Sequence, residues 1–178
     1  MKSSEEWWSE VKADDNKLLD WLRKQYHGEV TASLRIKTFI EQFKDQAGNE
    51  EWILTLEEIS RQEETHAQWI AELLRARGHM PSLIENKENR YWDEALSGIE
   101  DWNTGCAVGA HAEKMRLERI KVISSDKGAP NDIRSVFLKI LPQEEFHERA
   151  FREFSSEEAL QKTKKNHEAG KNALGLEI

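Results

Sequence analysis

Four stretches of this chain repeat an apolar residue at every third or fourth position, and each stripe is interrupted near its middle by a carboxylate. Over residues 50–77 the stripe reads Trp52, Leu56, Ile59, Glu63, His66, Ile70, Leu73, and over 131–154 it reads Ile133, Phe137, Ile140, Glu144, His147, Phe151, Phe154. Steps alternating between four and three keep such residues on one helical face, so both segments are expected to bury a Glu-x-x-His pair in an apolar seam. Two further stripes, Leu22, Tyr26, Glu29, Ser33, Ile36, Ile40, Phe43 and Ile99, Trp102, Cys106, Gly109, Glu113, Arg116, Ile120, carry one Glu each on the inward face.

The punctuation between the stripes sets the architecture. Asp45-Gln46-Ala47-Gly48-Asn49 ends a helix over 14–43, Gly78 and Pro81 end one over 50–77, and Asp126-Lys127-Gly128-Ala129-Pro130 separates helices over 99–124 and 131–154. Residues 78–98 form a long connection with a short helix expected near 91–96. With only 9 Gly and 3 Pro in 178 residues the composition is that of an all-α protein. Two short connections and one long crossover give an antiparallel four-helix bundle, read as one domain over 1–178 with its core at 14–154. Ser3-Ser4-Glu5-Glu6 opens a short leading helix with Trp7, Trp8 and Val11 on its apolar face. Ser155-Ser156-Glu157-Glu158 caps a further helix, and the polar tail from Lys162 onward is expected to fray at its end.

The two Glu-x-x-His pairs lie in one repeated word, Gln62-Glu63-Glu64-Thr65-His66 and Gln143-Glu144-Glu145-Phe146-His147. Four carboxylates buried in one bundle centre repel one another unless cations or protons neutralise them, and two divalent ions would do so. One Glu from each of two helices and a Glu-x-x-His from each of the other two is the donor set of dinuclear carboxylate bundles. The levels agree. Glu29 and Glu63 are equidistant from Gln46, and Glu113 and Glu144 from the Gly128 turn, so antiparallel hairpins bring each pair to one height. Glu118 competes with Glu113 on a less apolar face. Glu64, Glu145 and Glu148 read as surface charges, and His27 and His111, off the inward stripes, as surface residues.

On these residues the chain resembles the ferritin-like di-iron carboxylate superfamily, which includes rubrerythrins, bacterioferritins and di-iron oxygenases. The resemblance covers about residues 14–154 and implies a ferritin-like bundle holding two iron ions, with manganese or a mixed pair as the alternative. It implies Glu29, Glu63 and His66 around one ion and Glu113, Glu144 and His147 around the other, with Glu63 and Glu144 bridging. Two departures argue against a rubrerythrin in the narrow sense. Arg116 stands where rubrerythrins carry a further Glu, and one cysteine cannot supply their four-cysteine rubredoxin site.

The implied activity is an oxidoreductase acting with dioxygen or peroxide, with an unspecified small-molecule substrate and electron donor. Iron oxidation and storage, and a helical interaction protein with structural metals, are the alternatives. Carboxylate and imidazole donors suit iron or manganese better than copper or zinc. A formal charge of -8 and a pI near 5.4 argue against a nucleic-acid partner, including the RNA of the superfamily's tRNA-modifying hydroxylase. No stretch is apolar enough to span a membrane, and neither an internal disulfide nor an opening cationic-apolar segment marks the chain for secretion, so a cytoplasmic protein is expected, with a homodimer as the candidate assembly.

Around the six residues, Tyr26 reads as a core tyrosine that could reach a ligand or donate an electron. Cys106 and the small residues Gly105, Ala107, Gly109, Ala110 and Ala112 leave room for a pocket or for close packing. Arg116 is expected to pair with a ligand carboxylate, Trp69 and Phe151 to wall the histidines, and Pro142 to kink its helix.

Overall fold

A computed structural model describes residues 3–84 and 89–174. Seven α-helices run in the order α1 Ser4–Lys12, α2 Asp15–Phe43, α3 Glu50–Ala76, α4 Asn89–Leu96, α5 Trp102–Ser125, α6 Asn131–Glu153 and α7 Glu157–Ala173, with a 3-10 turn at Lys44–Gln46 and no strand among the described residues. The α2/α3 and α5/α6 hairpins form the four-helix bundle, and the long crossover carries α4.

Side-chain caps fix where the helices begin. Asp14 accepts from the amides of Asn16 and Lys17, Asn49 from Trp52, and Ser156 from Ala159. Asp101 forms a reciprocal capping box with Thr104, which starts α5 at Trp102 instead of Ile99, the expected start. Gly78 follows α3 at φ +78°, a left-handed conformation that a side chain disfavours. α6 passes through Pro142 as one helix. Proline removes one backbone donor there, and because Pro142 is solvent-exposed the carbonyl it strands can turn to water.

Two apolar clusters fill the bundle at either end of the candidate ligands. One gathers Leu22, Ile70, Leu74, Phe137 and Ile140 with Trp8 and Trp21, and the other Ile36, Leu56, Ile59, Trp102, Cys106 and Phe151. The leading helix closes the first cluster. Trp8 is 2% exposed, its ring lies 5.2 Å from that of Trp21, and its indole Nε1–H donates to Asp126 at 2.9 Å, where Lys12 Nζ also binds at 2.6 Å.

The capped further helix, α7, continues to Ala173 because Thr163 and Gly170 are buried and α7 packs on α4 and α5, while the end of the tail, where fraying is expected, lies outside the described residues. A Cβ at Gly170 would lie 2.6 Å from Tyr91 Cδ2, so the two helices meet at a glycine. Two expectations fail. His27 is buried, not on the surface, because the crossover folds over it and Ile84 N–H donates to its Nδ1 at 3.3 Å. His111 is half-buried under α7. Its Nε2 bonds Leu160 O at 3.1 Å, its ring stacks 5.0 Å from that of His167, and His167 Nδ1 accepts from the Tyr91 hydroxyl at 2.8 Å.

Candidate metal centre

The stripes place their polar interruptions at one level of the bundle. Glu29, Glu63, His66, Glu144 and His147 are 0% exposed and Glu113 is 5% exposed. Between α2 and α3 the level is pinned by the Ser33 and Ser60 hydroxyls, 2.9 Å apart one turn from the carboxylates. Glu118, the competing position on α5, faces solvent. All six expected residues are brought together.

They form two overlapping groups. Glu29, Glu63, His66 and Glu144 each offer one donor atom within 4.8 Å of the others, and so do Glu63, Glu113, Glu144 and His147. Glu63 and Glu144 belong to both. His66 Nδ1 lies 3.3 Å from Glu144 Oε1 and 3.7 Å from both Glu29 Oε2 and Glu63 Oε2, and His147 Nδ1 lies 3.2 Å from Glu63 Oε1. Yet both Nδ1 atoms, both Glu63 oxygens and one oxygen each of Glu29, Glu113 and Glu144 have no hydrogen-bond partner. Buried polar atoms are almost always satisfied, because leaving one bare costs about 1–3 kcal/mol. Seven bare donor atoms converging on one volume fit a pair of cations.

The far side of each imidazole is held by the opposite copy of the repeated word. His66 Nε2 bonds Gln143 Oε1 at 2.6 Å, and His147 Nε2 bonds Gln62 Oε1 at 2.8 Å. An amide oxygen only accepts, so each Nε2 keeps its hydrogen and each Nδ1 is left to face the carboxylates. Neither glutamine role is among the sequence expectations. Their signal is the first letter of the word, which repeats along with the Glu and the His.

Arg116 pairs with carboxylates as expected, and with more than one. Its Nη2 donates to Glu29 Oε1 at 2.7 Å and Glu144 Oε1 at 3.3 Å, and its Nη1 lies 3.7 Å from Glu63 and 3.8 Å from Glu113. Gln25 Nε2 also donates to Glu29 Oε1 at 2.6 Å, so Glu29 presents only Oε2 to the cluster.

One guanidinium does not balance four carboxylates, and the protonation states show it. Burial pushes the Glu113 carboxyl well above the ordinary carboxylate range, and the charge of Glu144 adds to the push. Burial acts the same way on Glu29, but Arg116 and His66 outweigh it and hold Glu29 well below that range. For Glu144, too, burial is outweighed by Arg116 and His66, which bring it to about 2. Burial disfavours a charged His66, yet the carboxylates of Glu144, Glu29 and Glu63 push its pKa up to about 12. Without ions, the cluster keeps protons on His66 and Glu113 in the places cations would take.

The surroundings are mostly apolar. Trp69 lies 5.7 Å from the His66 ring, and the two imidazoles are 5.8 Å apart. Tyr26 is half-buried and makes no hydrogen bond to the six among the described residues, and Cys106 is a fully buried core residue whose thiol burial holds protonated. Phe151 lines an open cleft of about 770 Å³ between α2 and α5, which reaches Glu113 and Arg116 and whose rim includes Trp92 and Leu96 of α4. The small residues of α5 serve packing and cleft together. A Cβ at Gly105 would lie 1.9 Å from Phe39 and one at Gly109 2.6 Å from Phe151, and both glycines line the cleft.

No helix among the described residues is long and apolar enough to cross a membrane. A search of the curated proteins and one of the solved structures found no match. The model of the rubrerythrin family matches residues 20–155, from the first turns of α2 to the end of α6. All six residues of the centre lie inside the matched span. With three quarters of its length matched on a ferritin-like bundle, the chain belongs to the rubrerythrin family.

Proposed function

We propose that the chain is a dinuclear metal oxidoreductase that uses dioxygen or peroxide. Glu29, Glu63, His66, Glu113, Glu144 and His147 hold two iron ions, or manganese in their place. The observation that carries this reading is the sharing of Glu63 and Glu144 between two donor groups whose atoms are otherwise bare. The di-iron character of the rubrerythrin family supports it, as does a donor set of carboxylates with one imidazole per group. A pair of ions so held supplies electrons and charge stabilisation for reducing dioxygen or peroxide, with an external donor restoring the electrons.

The chain's own residues set the conditions. Gln62 and Gln143 fix the imidazole tautomers, and Arg116 with Gln25 restricts Glu29 to one donor oxygen. The apolar clusters close the centre at either end of the bundle and leave the cleft at Glu113 and Arg116 as a side opening. Protons on His66 and Glu113 leave as ions enter.

The test is to load the metal-free protein anaerobically with ferrous iron and mix it with dioxygen or with hydrogen peroxide. The wild type is expected to be oxidised faster than Glu144→Ala and His147→Ala, each checked for helical content. Oxidation at the same rate in all three would sink the reading. Solution mass runs alongside: a closed shell of many copies would favour iron storage over catalysis.

A further inference from the structure

The cleft between α2 and α5 is far larger than dioxygen or peroxide requires. It lies within the roughly 300–1,000 Å³ of sites for organic ligands. Its lining runs from Thr31 to Phe43 on α2 and from Gly105 to Arg116 on α5, about 17 Å along the helix axes at 1.5 Å per residue. The walls are apolar, from Ile36, Phe39, Val108 and Phe151.

The two ends differ in chemistry. At the inner end stands Glu113, 5% exposed, with its Oε2 unpartnered. Arg116 is there too, but its guanidinium is committed to the cluster carboxylates and would not hold an anion. At the mouth, Leu34 and Leu96 expose apolar side chains, 54% and 43% accessible, and the Arg35 guanidinium stacks 3.8 Å over the Trp92 ring.

We propose that this cleft binds a neutral, aliphatic-chain substrate, with one end beside Glu113 and the tail leaving past Leu34 and Leu96. Apolar walls, and an inner end whose one guanidinium is already committed, select that class over a phosphate or a sugar and, in the metal-free chain, over a carboxylate. The identification as a substrate rests on the oxidoreductase reading, but occupancy of the cleft does not need the ions. The two can therefore fail separately.

The test uses the full chain, metal-free and metal-loaded, with the neutral fluorophore N-phenyl-naphthylamine as the reporter. Fluorescence is expected to rise on binding and to fall when dodecanol displaces the probe, with decanoate displacing it far less from the metal-free chain. Two substitutions fill the cleft: Ala112→Phe from within, and Thr38→Trp from an exposed position at the mouth that leaves the fold unstrained. Each is expected to weaken dodecanol binding by about tenfold or more while leaving metal stoichiometry unchanged. The proposal is overturned if dodecanol displaces no probe, if Thr38→Trp binds it as tightly as the wild type, or if decanoate binds the metal-free chain more tightly than dodecanol does. A chain that binds dodecanol but no metal would keep the cleft and reject the oxidoreductase reading.

Discussion

Replacing Gln143 with Leu removes the one acceptor of His66 Nε2–H and nearly preserves side-chain volume. The bond is 2.6 Å long and His66 is 0% exposed. Two effects follow. The bare N–H costs the fold about 1–3 kcal/mol. The imidazole also loses the contact that fixes its tautomer and orientation, and loss of such a partner typically weakens metal binding by about 10–100-fold, or roughly 1.4–2.7 kcal/mol. The geometry makes the loss one-sided. Gln143→Leu weakens the ion of the Glu29/His66 group, and Gln62→Leu, through His147, weakens that of the Glu113/His147 group. Anaerobic calorimetric titration with manganous and ferrous ions should therefore show one tight and one weakened ion in each variant. Gln143→Glu restores an acceptor and should recover most of the affinity, which a pure packing effect would not do. Two ions at wild-type affinity in both Leu variants would refute the assignment of the glutamines.

Other perturbations probe separate parts of the account. Because His66 is pushed up to about 12 in the metal-free cluster, its stabilisation is complete below its unfolded pKa near 6.5 and is lost as pH rises toward 12. The Glu113 penalty likewise grows as pH rises above about 4.3. Glu29 and Glu144, held low, add stability above about 4.3 that fades only in stronger acid. Urea denaturation of the metal-free protein should accordingly show lower stability at pH 9 than at pH 6; equal or rising stability would contradict these protonation states. The same protons leave on loading, so metal affinity should rise with pH, and calorimetry in buffers of different ionisation enthalpy should record proton release. Trp8→Ala should cost about 3–5 kcal/mol of stability through the cavity it leaves, with metal stoichiometry intact. A variant that lost its ions at unchanged stability would show that α1 serves the centre directly.

The convergence of the six residues was legible because local periodicity determines it: on a helix the stripe decides which face is buried, and the short turns near Gln46 and Gly128 decide which levels meet. Glu113 was separable from Glu118 on the same ground. The roles of Gln62 and Gln143 were written in the repeated word but needed geometry, since each acts across the bundle on the other word's histidine. The rest depended on contacts between distant segments. His27 is buried by Ile84 from the crossover, and His111 by α7, whose polar composition carries little apolar stripe to announce that it packs. The cleft depends on how α4 sits, and α4 is seated by Tyr91 against Gly170 of α7, a contact spanning the crossover, α5 and α6. Periodicity reads faces within a helix and levels within a hairpin, and it says little about which remote helix covers them.

The central claim is that two ions share Glu63 and Glu144. Its most direct measurement is the metal content of the reconstituted wild type, determined by elemental analysis after exhaustive dialysis, beside Glu144→Ala and His147→Ala proteins of matched helical content. The account predicts two iron or manganese ions per wild-type chain, with Glu144→Ala losing both because it removes a shared donor, and His147→Ala losing one. A wild type that retained no more metal than Glu144→Ala would contradict it.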